Sequence, residues 1–272
     1  RGGHYVGANG GLSKATPYGL FSARISQTQF KVGGDNRELD QNGQVTKLDG
    51  EWSYVLQPGL TSYTGIGYTR QRSSIGMFNW DDTIGSTALK AGLRLRQTHQ
   101  KWNYGGDLGI EQGLSLQRTV RAPGLLLGEA DAHYSLASIN ADATLQVPEW
   151  YGSLSLSGGG QKGSSGTPTG SQFYVGGPGR GLSYHTGVYS AASGYYGSIQ
   201  WTTVPWHDIS AFLGLEGGVV QPEGLDSISA KSVHVGARFA LPGRAVGQLG
   251  YASPIGDANA KGRMTFFLSG QF

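Results

Sequence analysis

The sequence contains no cysteine, which excludes a disulfide framework, a thiol nucleophile and any thiolate metal site. Charge is scarce as well: Asp, Glu, Lys and Arg make up 14% of the 272 residues, against roughly a quarter in an ordinary soluble domain. The net charge is +3 and the basic residues are scattered, so no nucleic-acid footprint is formed. No apolar run approaches the ~18 residues of a membrane helix. The six histidines are far apart and none lies four residues from another, which leaves no metal-binding pair on one helix face. There is no G-x-S-x-G elbow. A G-x-G-x-x-G occurs at Gly158, Gly160 and Gly163, but no helix pattern follows to receive a phosphate. Asp81 and Asp82 could in principle bind Ca²⁺, although a solvated acidic tip is the plainer reading. No cofactor and no enzymatic activity are therefore expected. The chain opens on Arg1 without a signal-like apolar stretch, and is expected to be a processed or excised piece.

What is abundant is glycine, at 47 residues, together with Tyr and Trp, while the mean hydropathy stays at -0.29. The hydrophobic period is two almost throughout. In "ALKAGLRLRQ", Leu89, Ala91, Leu93 and Leu95 share one face, and Lys90, Gly92, Arg94 and Arg96 share the other. In "INADATLQV", Ile139, Ala141, Ala143, Leu145 and Val147 oppose Asn140, Asp142, Thr144 and Gln146. In "SVHVGARFAL", Val233, Val235 and Ala237 oppose His234, Gly236 and Arg238. Runs of this kind number about thirteen, each ~10 residues long, the length of a tilted strand that crosses a bilayer. Soluble strands average only about 5 to 6 residues.

Connections alternate between short ("LQPGL", "LPGRA") and long and polar ("KVGGDNRELDQNGQVT", "RQRSSIGMFNWDDTIGS"), and Trp and Tyr cluster near strand ends. The last run, "GRMTFFLSGQF", places Met264, Phe266, Leu268, Gly270 and Phe272 on one face. It looks like the C-terminal assembly signal of bacterial outer-membrane proteins, which ends on an aromatic. The expected fold is an all-β, transmembrane antiparallel β-barrel spanning residues 1–272, its apolar faces against outer-membrane lipid. Lys90, Arg94, Arg96, Asp142 and Arg238, with Arg24, Glu51, Asp107, Glu111 and Glu216, are expected to line a wet interior.

One stretch does not fit a strand or a hairpin turn: "GSQFYVGGPGRGLSYHTG", with a single Arg among glycines and aromatics. It follows "GSLSLSGGGQ" and precedes five further strands. Here the sequence resembles the two-partner secretion transporters, the hemolysin-activator and filamentous-hemagglutinin-transporter family, whose members carry F-x-(aliphatic)-G-G and then R-G before their last five strands. The matching residues are Phe173, Gly176, Gly177, Arg180 and Gly181. The stretch departs from the family form by lacking the Ser-Val that usually precedes the Arg. The resemblance covers most of the chain, including "HYSLASINADATLQVPEWYGSLSLSGGGQ" and "PYGLFSARISQTQFKVGG". It implies sixteen strands, with the first ones and two POTRA domains outside this chain. It further implies that the loop folds into the lumen and that its Arg meets an acidic residue two positions before a Gly on an inner strand face. In "AFLGLEGG" that residue is Glu216, with Gly218 after it; Glu replaces the usual Asp, and Gly214 stands where an aromatic is usual.

The function so implied is a bacterial outer-membrane translocation pore that exports an unfolded partner exoprotein of adhesin or hemolysin type, after insertion by the barrel-assembly machinery. A diffusion porin or substrate-specific channel is the alternative. A lipid-modifying barrel enzyme would need a nucleophile and a base at one rim, for which Ser183 and His185 are the only close pair.

Overall fold

Alternating sequences with β-branched, aromatic and small residues satisfy their backbone groups by pairing, and this chain pairs almost everywhere. The computed structural model describes residues 4–31, 41–75, 80–121, 132–147, 152–184, 188–241, 245–257 and 261–269. The strands are β1 (His4–Thr16), β2 (Gly19–Lys31), β3 (Gln41–Gln57), β4 (Leu60–Ile75), β5 (Trp80–His99), β6 (Trp102–Arg121), β7 (Ser135–Val147) and β8 (Gly152–Gly163). After a short 3-10 turn, Thr169–Ser171, come β9 (Phe173–Val175), β10 (Tyr189–Ala191), β11 (Ser193–Thr203), β12 (Ile209–Gln221), β13 (Ile228–Leu241), β14 (Ala245–Pro254) and β15 (Arg263–Ser269).

Thirteen of these form one sheet in chain order, from β1 through β8 and then β11 to β15, while β9 and β10 make a separate two-stranded ribbon. The chain divides into two compact units. One comprises residues 1–94, 108–137 and 163–171; the other comprises 95–107, 138–162 and 172–272.

The strands are longer than expected: β5 and β6 reach 20 residues each. Most of "RQRSSIGMFNWDDTIGS", read above as a long loop, is strand, since β4 runs to Ile75 and β5 starts at Trp80. Polar residues on both faces erase the alternation there, but backbone pairing continues; Gln44 still faces Arg72 and Asn42 faces Ser74 across β3 and β4. The β9–β10 ribbon was also not expected, because three-residue strands leave too few positions to show a period.

In the first unit, charge is paired across strands rather than along them. Lys90 on β5 donates to Asp49 on β3 at 2.6 Å, and Arg94 clasps Glu51 with two bonds of 2.6 and 2.7 Å. Both pairs reach over the intervening β4. Gly67 clears the way for the first of them: a Cβ there would lie 2.8 Å from the Lys90 Nζ and 2.9 Å from the Asp49 carboxylate. The Arg94 guanidinium lies 4.0 Å above the Tyr63 ring. Asp81 and Asp82 face arginines, Arg72 at 2.5 Å and Arg118 at 3.0 Å respectively.

In the second unit, β12 shows the alternation most plainly. Ile209, Ala211, Leu213 and Leu215 are exposed, and Ser210, Phe212, Gly214, Glu216, Gly218 and Val220 are buried. On β15, Met264, Phe266 and Leu268 are exposed; Phe272 lies outside the described residues.

The Arg94–Glu51 pair is bidentate and partly shielded, with side-chain exposures of 32% and 19%. Its coupling in a double-mutant cycle of Arg94→Ala and Glu51→Ala is expected to be about 1 kcal/mol. Urea unfolding of the full-length protein in lipid vesicles measures it, and strictly additive losses would show that the pair contributes nothing beyond its separate side chains.

Candidate functional site

A glycine-rich loop exposes backbone donors that no side chain of its own can satisfy, so its position is set by whatever accepts them. Gly176, Gly177, Gly179 and Gly181 all have positive φ, between 76° and 113°, a region that residues with a Cβ avoid. The chain thereby folds into a tight arch over residues 176–184. Four of its amide hydrogens are used within the arch: Gly176 donates to the Arg180 carbonyl, Gly177 to Gly181, Arg180 to Gly177 and Tyr184 to Gly181, at 2.9 to 3.1 Å. Pro178 has none to give.

The remaining donors converge on β12 and β13. The Glu216 carboxylate accepts the amides of Gly179 at 2.7 Å, Gly181 at 3.2 Å and Leu182. Ser183 donates its amide to the Ser232 hydroxyl at 3.0 Å, and the two hydroxyls lie 2.6 Å apart. Every backbone N–H from 176 to 184 therefore has an acceptor. The wall is cut to receive the arch. A Cβ on Gly218 would collide with Val175, and one on Gly181 would come within 3.0 Å of the Ala230 Cβ. Phe173, Val175, Tyr184, Ala191, Val220 and Ala230 close the apolar side.

The expected ion pair between Arg180 and Glu216 does not form. Both Glu216 oxygens are occupied by backbone donors, and the Arg180 guanidinium turns to three aromatic faces instead. It lies 4.5 Å from the Phe173 and Tyr174 ring centres and 4.6 Å from that of Tyr196, and donates to the Tyr174 carbonyl at 3.3 Å. Phe173 and Tyr196 stack on one another with centroids 6.2 Å apart. A planar, weakly hydrated cation is well suited to such a platform. The space beside Gly214 is occupied by the His234 ring.

The far limb of the arch is tied to β15, where Arg263 donates to the Tyr184 carbonyl at 2.9 Å. The Tyr184 hydroxyl donates to Asp257 at 3.4 Å; burial and then that carboxylate push it above the usual tyrosine range, so it stays a donor.

The sequence-derived residues thus fall into separate groups. Phe173, Gly176, Gly177, Arg180 and Gly181 meet Glu216 and Gly218 in the arch. Lys90 and Arg94 belong to the charge pairs of the first unit. In the second unit Arg96 lies 3.5 Å from Asp142 in an exposed pair, and Arg238 donates to Gln248 at 3.3 Å. Ser183 is buried and bonded to Ser232, and His185 lies outside the described residues. Sequence reasoning missed Tyr196, Ser232 and Ala230. The last two were within reach, since they share the parity of His234 on β13.

Glu216→Ala leaves three amides without their acceptor at a cost of about 1–3 kcal/mol for each that stays dry, whereas Glu216→Gln keeps an accepting oxygen. Limited trypsin digestion at Arg180 of protein in lipid vesicles is expected to be fast for Glu216→Ala and close to the parent for Glu216→Gln. Equal protection of all three would show that the carboxylate does not hold the arch.

No protein-family model and no curated protein sequence matches the chain. Solved structures do match in fold. CdiB from Acinetobacter baumannii superposes with a TM-score of 0.72 at 12% identity over 98% of this chain and 50% of its own. CdiB from Escherichia coli gives 0.72 at 15% identity over 97% of this chain and 52% of its own. BamA from Haemophilus ducreyi lacking POTRA domains 1-3 gives 0.70 at 11% identity, over 97% and 62%. The chain spans about half the length of the two CdiB proteins. At these identities the likeness is one of fold: the chain's thirteen-stranded antiparallel sheet is of the barrel type of CdiB and BamA, as its resemblance to two-partner secretion transporters implies, and among the described residues β1 and β15 do not pair, so the sheet is open.

Proposed function

We propose that the chain forms most of the barrel of a bacterial outer-membrane pore that exports an unfolded partner exoprotein of adhesin or hemolysin type. The observation that carries this reading is the arch over 176–184, fixed to a wall strand through the three amides bound by Glu216. A plain diffusion channel needs a constriction of some kind; it does not need an F-x-V-G-G…R-G loop whose every donor is satisfied on β12, β13 and within itself. The fold shared with CdiB supports the same reading.

On this reading the exposed apolar faces of β12 and β15 meet outer-membrane lipid, and the barrel-assembly machinery inserts the chain. The charged face lines the lumen. Its Lys90–Asp49 and Arg94–Glu51 pairs cancel each other, so the wall offers a passing polypeptide hydration without a strong field of either sign. Export requires no catalytic residue: folding of the partner outside removes it from the lumen and supplies direction.

The experiment compares the full-length parent with Glu216→Ala and with a deletion of residues 176–184, at matched outer-membrane levels. Secretion of the partner exoprotein is expected to fall at least about tenfold in both variants, equivalent to ~1.4 kcal/mol, while single-channel conductance in planar bilayers rises. Unchanged secretion with raised conductance would overturn the export reading and assign the arch to a diffusion channel.

A further inference from the structure

The limb of the loop that precedes the arch has its own dock in the first unit. Ser164 donates its amide to the Ser135 carbonyl at 2.9 Å and accepts the Ser135 amide at 3.0 Å. Residues 164–171 then fold on themselves. Thr167 donates its hydroxyl to the Ser164 carbonyl at 2.7 Å, and the Ser171 amide reaches the Pro168 carbonyl at 2.8 Å. Thr167 and Pro168 are buried, and a Cβ on Gly170 would lie 2.8 Å from the Thr69 methyl of β4. The limb closes on Glu111 of β6. One oxygen of that carboxylate accepts the Ser171 hydroxyl at 2.9 Å and the Tyr134 hydroxyl, which are themselves 3.2 Å apart.

Tyr134 is almost fully buried and rigidly placed. Its carbonyl accepts the Gly113 amide at 2.8 Å and the Gln112 side chain at 3.1 Å, and its ring occupies the space that a Cβ on Gly113 would need. Burial and then the bond to Glu111 push its hydroxyl above the ordinary tyrosine range, so it remains a donor. The carboxylate is not simply a counter-ion of the wall. Lys90 is already bonded to Asp49 at 2.6 Å and stands 3.9 Å from the other Glu111 oxygen. The close partners of Glu111 are two hydroxyls, one of them on the loop.

We infer that Glu111 is a second positioning residue for the loop, holding the entering limb through Ser171 and Tyr134 independently of the hold that Glu216 has on the arch. The two carboxylates use different donors: Glu216 takes backbone amides, Glu111 takes hydroxyls. Neither shares a hydrogen-bond partner with the other. The limb can therefore be released while the arch stays seated, and the arch can be released while the limb stays seated. This inference deepens the export reading, on which only its functional consequence rests.

The test uses the full-length protein in lipid vesicles with no partner present. The chain holds no cysteine, so a reporter placed by Thr169→Cys or Pro178→Cys, with any cysteine elsewhere in the protein replaced, carries the only nitroxide label. Both positions are exposed. Glu111→Ala is expected to abolish the immobilised component of the label at 169 and leave that at 178 unchanged; Glu216→Ala is expected to do the reverse. Glu111→Gln, which still accepts from both hydroxyls, restores immobilisation at 169. Tyr134→Phe and Ser171→Ala, which leave the wall charges untouched, each weaken it. An immobile label at 169 in Glu111→Ala, or simultaneous release at both positions in either variant, would overturn the independent hold. Export is measured separately on the same variants: a limb released in Glu111→Ala with parental secretion sustains the geometric hold and counts against the loop's role in export.

Discussion

A backbone without side chains is positioned by its hydrogen bonds, and the arch depends on one carboxylate to complete them. Glu216 supplies lone pairs to three amides from β12, a strand fixed on both sides by continuous ladders to β11 and β13. The carboxylate takes the place of the water that a solvated glycine loop would otherwise bind. The aromatic platform under Arg180, the Ser183–Ser232 bond and the tie from Arg263 to Tyr184 are arranged around that point. Each fixes a further residue of the arch once the amides are in place.

The same device recurs in another form within the first unit. The Lys90 side chain reaches over β4 to Asp49 at a point where that strand has no side chain in the way. Gly67 provides that gap for Lys90 and Asp49, and Gly113 provides it for the ring of Tyr134. Glycine in a strand weakens it locally, by entropy and by missing contacts. The cost is offset by interactions that cross the strand at that point.

Much of this was legible in the sequence, and the limits were physical. Period two placed Ser210, Phe212, Gly214 and Glu216 on one face, which the burial of β12 matches position by position. It failed at residues 70–75 and 80–86, where polar residues fall on both faces and the strands nevertheless continue. The loop motif led to Glu216, but the pairing inferred for Arg180 did not follow. The Glu216 carboxylate is engaged by three backbone amides, and the aromatics in "SQFYVGG" and "SGYYGS" offered the guanidinium an alternative. Those rings were visible in the sequence. Their convergence was not, because it depends on the register that sets Tyr196 opposite Gly218. The role of Glu111 was equally hidden, since parity places it on the polar wall without indicating which segment it meets.

The commitment of every amide donor in the arch bears on any extended peptide beside it. An unfolded chain carries a row of donors and acceptors and adds readily to whatever backbone edge still has groups to offer. From 176 to 184 every amide hydrogen is already committed, to Glu216, to Ser232 or to a carbonyl of the arch itself. A segment this rich in glycine would otherwise invite strand addition. With its donors taken, the arch has no backbone N–H left with which a neighbouring strand could begin such a ladder.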